Sequence, residues 1–172
     1  MSKISFLLTE VLFLETEDKA PPQTLNSGFN LGPLYHGGTW DGKTPIKVNG
    51  RGALGTGAYL APSRERAQGY AKESGGNKVI EVYVKINKPL DLNMGLDRGE
   101  HPCIKALVLL GMKPDKAERL VERVEEQKGY MGKEISNLAQ QQGYDGLCQY
   151  VGGELTEVVV WNAQQVSLVM GQ

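Results

Sequence analysis

Apolar side chains near the start of the chain recur at helical spacing. Ile4, Leu7, Leu8, Val11, Leu12 and Leu14 share one broad side of a helix, because residues three and four apart stack at 3.6 residues per turn. The spacing predicts an amphipathic helix over residues 1–17 whose apolar face must dock, on its own domain, on a partner helix or as an anchor. Breakers and polar residues follow in Ala20-Pro21-Pro22-Gln23-Thr24 and Asn26-Ser27-Gly28, so 18–32 reads as a linker and 33–172 as the compact domain. From Leu34 onward short strands separated by glycine turns replace the helical pattern. Ile80, Val82, Val84 and Ile86 alternate with Glu81, Tyr83 and Lys85, which predicts a strand over 78–86 with one buried face.

Helix signals lie between the strands. Ser63 is placed to cap a helix running to about Lys72, which Gly75-Gly76 stops. Pro102 and Pro114 stand where a first helical turn accepts proline, and Ala117, Leu120, Val121 and Val124 form one apolar stripe. A further helix is expected from Lys133 to Gln142, ended by Gly143, with strands at Leu147–Val151, Glu157–Asn162 and Val166–Met170. Strands and helices do not alternate regularly, so the fold class is α+β with a largely antiparallel or split sheet.

Composition narrows the function. A chain of 172 residues, 40 % apolar and 23 % charged, is that of one globular domain and excludes disorder, collagen and coiled coil. Its net charge of −1 supplies no field to hold a phosphate backbone, so bulk nucleic-acid binding is not expected. Thr9 and Glu10 interrupt the apolar stretch from Ile4 to Leu14, and Glu15, Glu17 and Asp18 follow it. That suits neither a signal peptide nor a bilayer span, and the chain is expected to be soluble, cytoplasmic and without a membrane partner. Cys103 and Cys148 are expected as free thiols, and neither has metal-ligand spacing to His36 or His101. The 22 glycines, nearly twice the usual ~7 %, call for positive-φ turns or close backbone approach to a ligand.

Four places concentrate polar or aromatic residues. Tyr35-His36-Gly37-Gly38 sets an imidazole beside two residues that let backbone meet a ligand closely. NGRGALGTGAYLA, from Asn49 to Ala61, is a glycine-rich turn feeding a strand that carries Tyr59. It lacks the Lys-Ser/Thr ending of a phosphate loop and the long helix of a dinucleotide fingerprint. On the helix after it, Ser63, Ala67 and Tyr70 share a face, which sets an aromatic ring over a small side chain. If the Tyr59 strand runs antiparallel to this helix, the two phenols can face each other around a flat ring. Finally, Glu154-Leu155-Thr156-Glu157 runs straight into Val158-Val159-Val160-Trp161, and a carboxylate opening a strand apolar on both sides is costly to desolvate unless something binds it. Each feature also has a purely structural reading: a strand-end histidine, core tyrosines, a solvated charge.

Together the four resemble the His-Tyr-Glu class of ADP-ribosyltransferases, which includes the diphtheria-toxin-like enzymes and the poly(ADP-ribose) polymerases. The resemblance covers Pro33 to Val169, except for the helical stretch from Asp97 to Gly132. Glu157-Val158-Val159-Val160-Trp161-Asn162 followed by Gln165-Val166-Ser167-Leu168 resembles the family's closing strand pair, and Gly143-Tyr144-Asp145-Gly146 the bend ahead of it. The resemblance implies a split sheet with an NAD cleft between two small sheets. It implies that His36 bonds the adenine-side ribose and the Gly37 backbone the carboxamide. Tyr59 and Tyr70 would sandwich the nicotinamide, and Glu157 would bond the 2′-hydroxyl of its ribose and stabilise the oxocarbenium ion. His36, Tyr59 and Glu157 are then the catalytic set, and His36, Gly37, Tyr59, Ala67 and Tyr70 the NAD-binding set, with no metal.

Ala67 stands where polymerase-like members carry a serine, which moves the chain toward the toxin-like branch. Leu155 replaces the Glu or Gln that arginine-modifying members place two residues before the catalytic glutamate. The implied activity is transfer of a single ADP-ribose unit to a non-arginine residue of a protein, with the loop Gln149–Thr156 presenting the acceptor. A bacterial effector, a phage protein or a drug-inactivating enzyme would fit. The alternatives are a non-catalytic module that binds NAD or a partner, a glycohydrolase, or a transferase to nucleic acid or a small molecule.

Overall fold

Glycine and proline punctuation divides the chain into short elements. The structure, a computed structural model, describes residues 28–96 and 99–168. The expected N-terminal helix, most of the expected linker and the last residues of the expected final strand lie outside the described residues. The strands are β1 (Leu31–Gly38), β2 (Gly50–Gly52), β3 (Gly55–Leu60), β4 (Lys78–Val84), β5 (Pro89–Met94), β6 (Gly146–Val151), β7 (Glu154–Val160) and β8 (Val166–Leu168). The helices are α1 (Arg64–Glu73), α2 (Pro102–Leu109), α3 (Pro114–Lys128) and α4 (Glu134–Gln141).

Local chemistry explains the ends of these elements. The Ser63 side chain accepts the Arg66 amide at 3.2 Å to open α1, and Gly75 at φ +71° turns the chain away after it. Proline opens both α2 and α3, where its missing N–H is not needed. Gly129, at φ +76°, closes α3 in the left-handed conformation.

The described strands form a three-stranded sheet in the order β1-β4-β8 and a five-stranded sheet in the order β2-β3-β7-β6-β5. All pairs are antiparallel except β5 with β6. The fold is therefore mixed α+β with two sheets. One core lies between them, built on Leu34, Leu60, Val82, Val84, Val158 and Val160. The other lies between the five-stranded sheet and the helices α2 to α4, with Leu92, Leu107, Val121, Ile135, Leu147 and Val159. Strand β7 serves both, since Val158 and Val160 point to one core and Val159 to the other.

Three details differ from the sequence expectation. Residues 30–32 belong to the fold rather than to a linker: Asn30 donates its side-chain amide to the Ile86 carbonyl at 2.7 Å and accepts the Ile86 amide at 2.9 Å. Strand β5 was not expected, because six residues opened by proline carry a weak pattern that only the parallel partner β6 stabilises. The expected loop Gln149–Thr156 is instead the β6–β7 hairpin, closed at Gly152 and Gly153 with φ of +60° and +87°, a turn that two adjacent glycines permit without strain. The two cysteines are free, as their context suggested, and both are buried.

Helix α1 rests directly on β1 because Gly37 has no side chain. A Cβ there would run into the Ala67 carbonyl and meet the Ala71 amide at 3.0 Å. Gly37→Ala should therefore lower stability by at least ~1–3 kcal/mol, as overpacking does. Gly69, inside the same helix, has nothing within 4 Å of the corresponding position, so Gly69→Ala should raise stability by roughly 0.5–1 kcal/mol. Urea midpoints of the two variants, moving in opposite directions, check both.

Candidate functional site

Seating α1 on β1 brings three elements around one cleft. Strand β1 supplies His36 and Gly37, α1 and its C-cap supply Tyr70, Glu73 and Ser74, and the five-stranded sheet supplies Tyr59, Gln149 and Glu157. The cavity is about 690 Å³, within the usual size of a small-molecule site. Lys47 and Arg51 stand at its wall as well, and the Arg51 guanidinium lies 4.5 Å over the Tyr130 ring.

Tyr59 is fixed on all sides. Its hydroxyl donates to the Gly55 carbonyl at 2.7 Å and accepts the Leu54 amide at 3.1 Å. Gly52 lies against the phenol end of the ring, where any side chain would collide with it. The β2–β3 turn is in turn tied to the helical layer, since the Cys103 thiol donates to the Ala53 carbonyl at 2.8 Å and the Thr56 amide to the Gly132 carbonyl at 2.8 Å. Burial pushes the Tyr59 phenol well above its usual range and the Cys103 thiol up to about 12, so both are neutral donors at any physiological pH.

Glu157 faces Tyr70. The Tyr70 hydroxyl donates to Glu157 Oε1 at 2.8 Å, and burial together with the neighbouring carboxylate pushes that phenol up to about 12. Burial also raises the Glu157 carboxyl above the ordinary carboxylate range, opposed by the Tyr70 hydrogen bond and the nearby positive charge of Arg66. Because β7 carries an extra residue at Thr156, Gln149 stands opposite Glu157 while Tyr150 stands opposite Leu155. Past this bulge the ladder is regular.

His36 Nδ1 lies 3.2 Å from the Tyr59 carbonyl oxygen, which can only accept, so Nδ1 carries the proton and Nε2 is left as an acceptor. Burial holds the imidazole below its usual value and hence uncharged at neutral pH. Trp40 packs edge-on against it, with ring centroids 5.6 Å apart.

Of the expected site residues, His36, Gly37, Tyr59, Tyr70 and Glu157 line the same cleft. Ala67 is not among them: it is fully buried, packed behind Gly37. The phenols are also more than flat surfaces, since each spends its hydroxyl on a specific partner. Lys47, Arg51 and Gln149 were missed. Only Gln149 left a signal, as a polar residue with the parity of buried Leu147 in an otherwise apolar strand.

No helix among the described residues is long and apolar enough to cross a membrane. Among the same residues no group of three or more His, Cys, Asp or Glu side chains could hold a metal ion.

The raised carboxyl of Glu157 has a measurable consequence. With its folded-state value above the unfolded one, the unfolded chain ionises first as pH rises, so stability falls from about pH 4 upward through the folded-state value. Glu157→Gln removes that loss while still accepting from Tyr70. It should be more stable than the parent at pH 7, with the gap closing toward pH 3, as read from thermal melts across pH. A gap that does not depend on pH would contradict the assignment.

Known proteins add an independent line. Comparison with curated proteins gives no match. Among solved structures, the crystal structure of an anti-CRISPR protein is similar at 17 % identity over 78 % of this chain and 90 % of that one, with a TM-score of 0.36. A likeness that slight carries no argument. Residues 30–172, in contrast, match the family described as ADP-ribosyltransferase in polyvalent proteins. The match spans both sheets, all four helices and every residue around the cleft, and the chain belongs to that ADP-ribosyltransferase family.

Proposed function

We propose that this domain is an NAD-dependent mono-ADP-ribosyltransferase of the His-Tyr-Glu class, acting on a non-arginine residue of a protein acceptor. The observation that carries the reading is the half-buried Glu157 carboxylate, pinned by Tyr70 in the cleft that also holds His36 and Tyr59. Withdrawing a carboxylate even partly from water is costly without a salt-bridge partner, and a cationic transition state is a chemical reason to hold one there.

The residues present suit NAD. Gly50, Gly52 and Gly57 line the cleft without side chains, so backbone can approach a ligand closely. Tyr59 and Tyr70 offer aromatic surface for the nicotinamide ring. His36 Nε2, as the free acceptor of a neutral imidazole, can accept a hydrogen bond from a ribose hydroxyl on the adenine side. The Gly37 main chain can bond the carboxamide.

The chemistry then follows from charge. The bond between C1′ and the nicotinamide nitrogen breaks with its electron pair leaving on nicotinamide, and the ribose becomes oxocarbenium-like. Glu157 holds the 2′-hydroxyl in the ground state and opposes the developing positive charge in the transition state, which lowers the barrier more than it tightens binding. The acceptor nucleophile adds at C1′ and releases its proton to water. Tyr70 keeps the carboxylate oriented throughout.

Adenine-labelled NAD incubated with the protein and bacterial or eukaryotic lysates tests the reading: label on a protein band supports it, and label only in free ADP-ribose makes the domain a glycohydrolase. Glu157→Gln should bind NAD within a few-fold of the parent yet transfer about a hundred- to a thousandfold more slowly, while Glu154→Gln, exposed at the hairpin, changes little. Tyr70→Phe keeps the ring and frees the carboxylate, so kcat should fall more than NAD affinity. Tyr70→Ala also loses stacking, about 1–3 kcal/mol of binding. Parental turnover in Glu157→Gln would remove it from the catalytic set.

A further inference from the structure

Gln149 and Glu157 are cross-strand neighbours in the β6–β7 ladder, so their side chains stand on one face of the sheet, and both line the cleft. The Gln149 Oε1 is buried and has no hydrogen-bond partner. Nearby hydroxyls are already spent: Thr156 donates to the main-chain oxygen of Gln149 at 3.1 Å, and Tyr70 donates to Glu157 at 2.8 Å. A buried amide oxygen without a donor destabilises the free protein, and each such group in a folded structure calls for a reason.

Two hydrogen-bond acceptors side by side, one of them unsatisfied, suit a ligand that carries two adjacent O–H donors. The vicinal diol of a ribose is such a ligand. Strand order β3-β7-β6 puts Tyr59, Glu157 and Gln149 on three successive strands, with Gln149 directly opposite Glu157 and Tyr59 on the diagonal, opposite Val159. Along a ribose the same order runs from the base at C1′ to the hydroxyls at C2′ and C3′. With the base beside Tyr59 and the 2′-hydroxyl on Glu157, the 3′-hydroxyl is the next donor in line.

We infer that Gln149 accepts a hydrogen bond from the 3′-hydroxyl of the nicotinamide ribose, so that this site demands an intact vicinal diol. The inference rests on the transferase reading above. Rotation about the last side-chain bond of Gln149 turns the orphaned oxygen into the cleft that the residue lines and gives it a partner in the complex, so that Gln149 is a residue whose removal helps the free protein and harms the complex.

The test uses two probes, NAD and an NAD analogue lacking only the 3′-hydroxyl of the nicotinamide ribose, titrated calorimetrically into the parent and into Gln149→Met. The parent should bind NAD roughly three- to tenfold more tightly than the analogue, the loss of one hydrogen bond. Gln149→Met, similar in length but without a polar amide, should bind both probes alike, near the parent's affinity for the analogue, and should melt at a higher temperature when free. An analogue lacking the 2′-hydroxyl should lose the same factor against both proteins. Equal affinity of the parent for NAD and the 3′-deoxy analogue overturns the inference even if the variant does not fold. A variant that still discriminates the two overturns it as well. Failure of the folded parent to bind NAD at all is a different result, and it sinks the transferase reading itself.

Discussion

Strand β7 can bury an unbroken run of valines only because a core lies on each of its faces, and that double burial has to end somewhere. It ends at Glu157, the last residue before the strand meets the bulge at Thr156. Everything around the cleft answers the cost of placing a carboxylate at that boundary. Tyr70 approaches with a proton because α1 lies flush on β1, and α1 lies flush because Gly37, Ala67 and Ala71 are small. Substituting any of the three would move the phenol before it disturbed the chemistry directly.

The two walls of the cleft differ in how they are held. Tyr59 belongs to a turn tied through Cys103 and Gly132 to the helical layer, and its position is a property of the second core. His36 and Tyr70 belong to the β1–α1 side and depend on the packing of Gly37. The site therefore joins two differently supported surfaces, and the Tyr70–Glu157 and His36–Tyr59 hydrogen bonds run between them.

Much of this was legible in the sequence, for physical reasons specific to each residue. Glu157 announced itself because a charge next to three valines contradicts their burial. Ser63, Pro102 and Pro114 marked helix starts through capping chemistry that acts within one turn. What escaped depends on contacts far apart in sequence. Asn30 looks like linker until Ile86, 56 residues away, supplies its partners. Gln149 interrupts the apolar pattern of its strand, but what it faces follows only from the bulge that sets it opposite Glu157. Ala67 shares a helix face with Tyr70, yet the sequence does not say that Gly37 comes close enough to cover it.

The bulge at Thr156 also separates two jobs within one hairpin. On its sheet side, Glu157 is held by Gln149 and by the regular ladder from Val158 onward. On its far side, Leu155 and Glu154 pair with Tyr150 and Val151 around the Gly152-Gly153 turn. Insertions or deletions in that tip are absorbed beyond the register break and leave the carboxylate where it is. Evolution can thus rewrite what the tip meets, residue by residue, without having to rebuild the reaction each time.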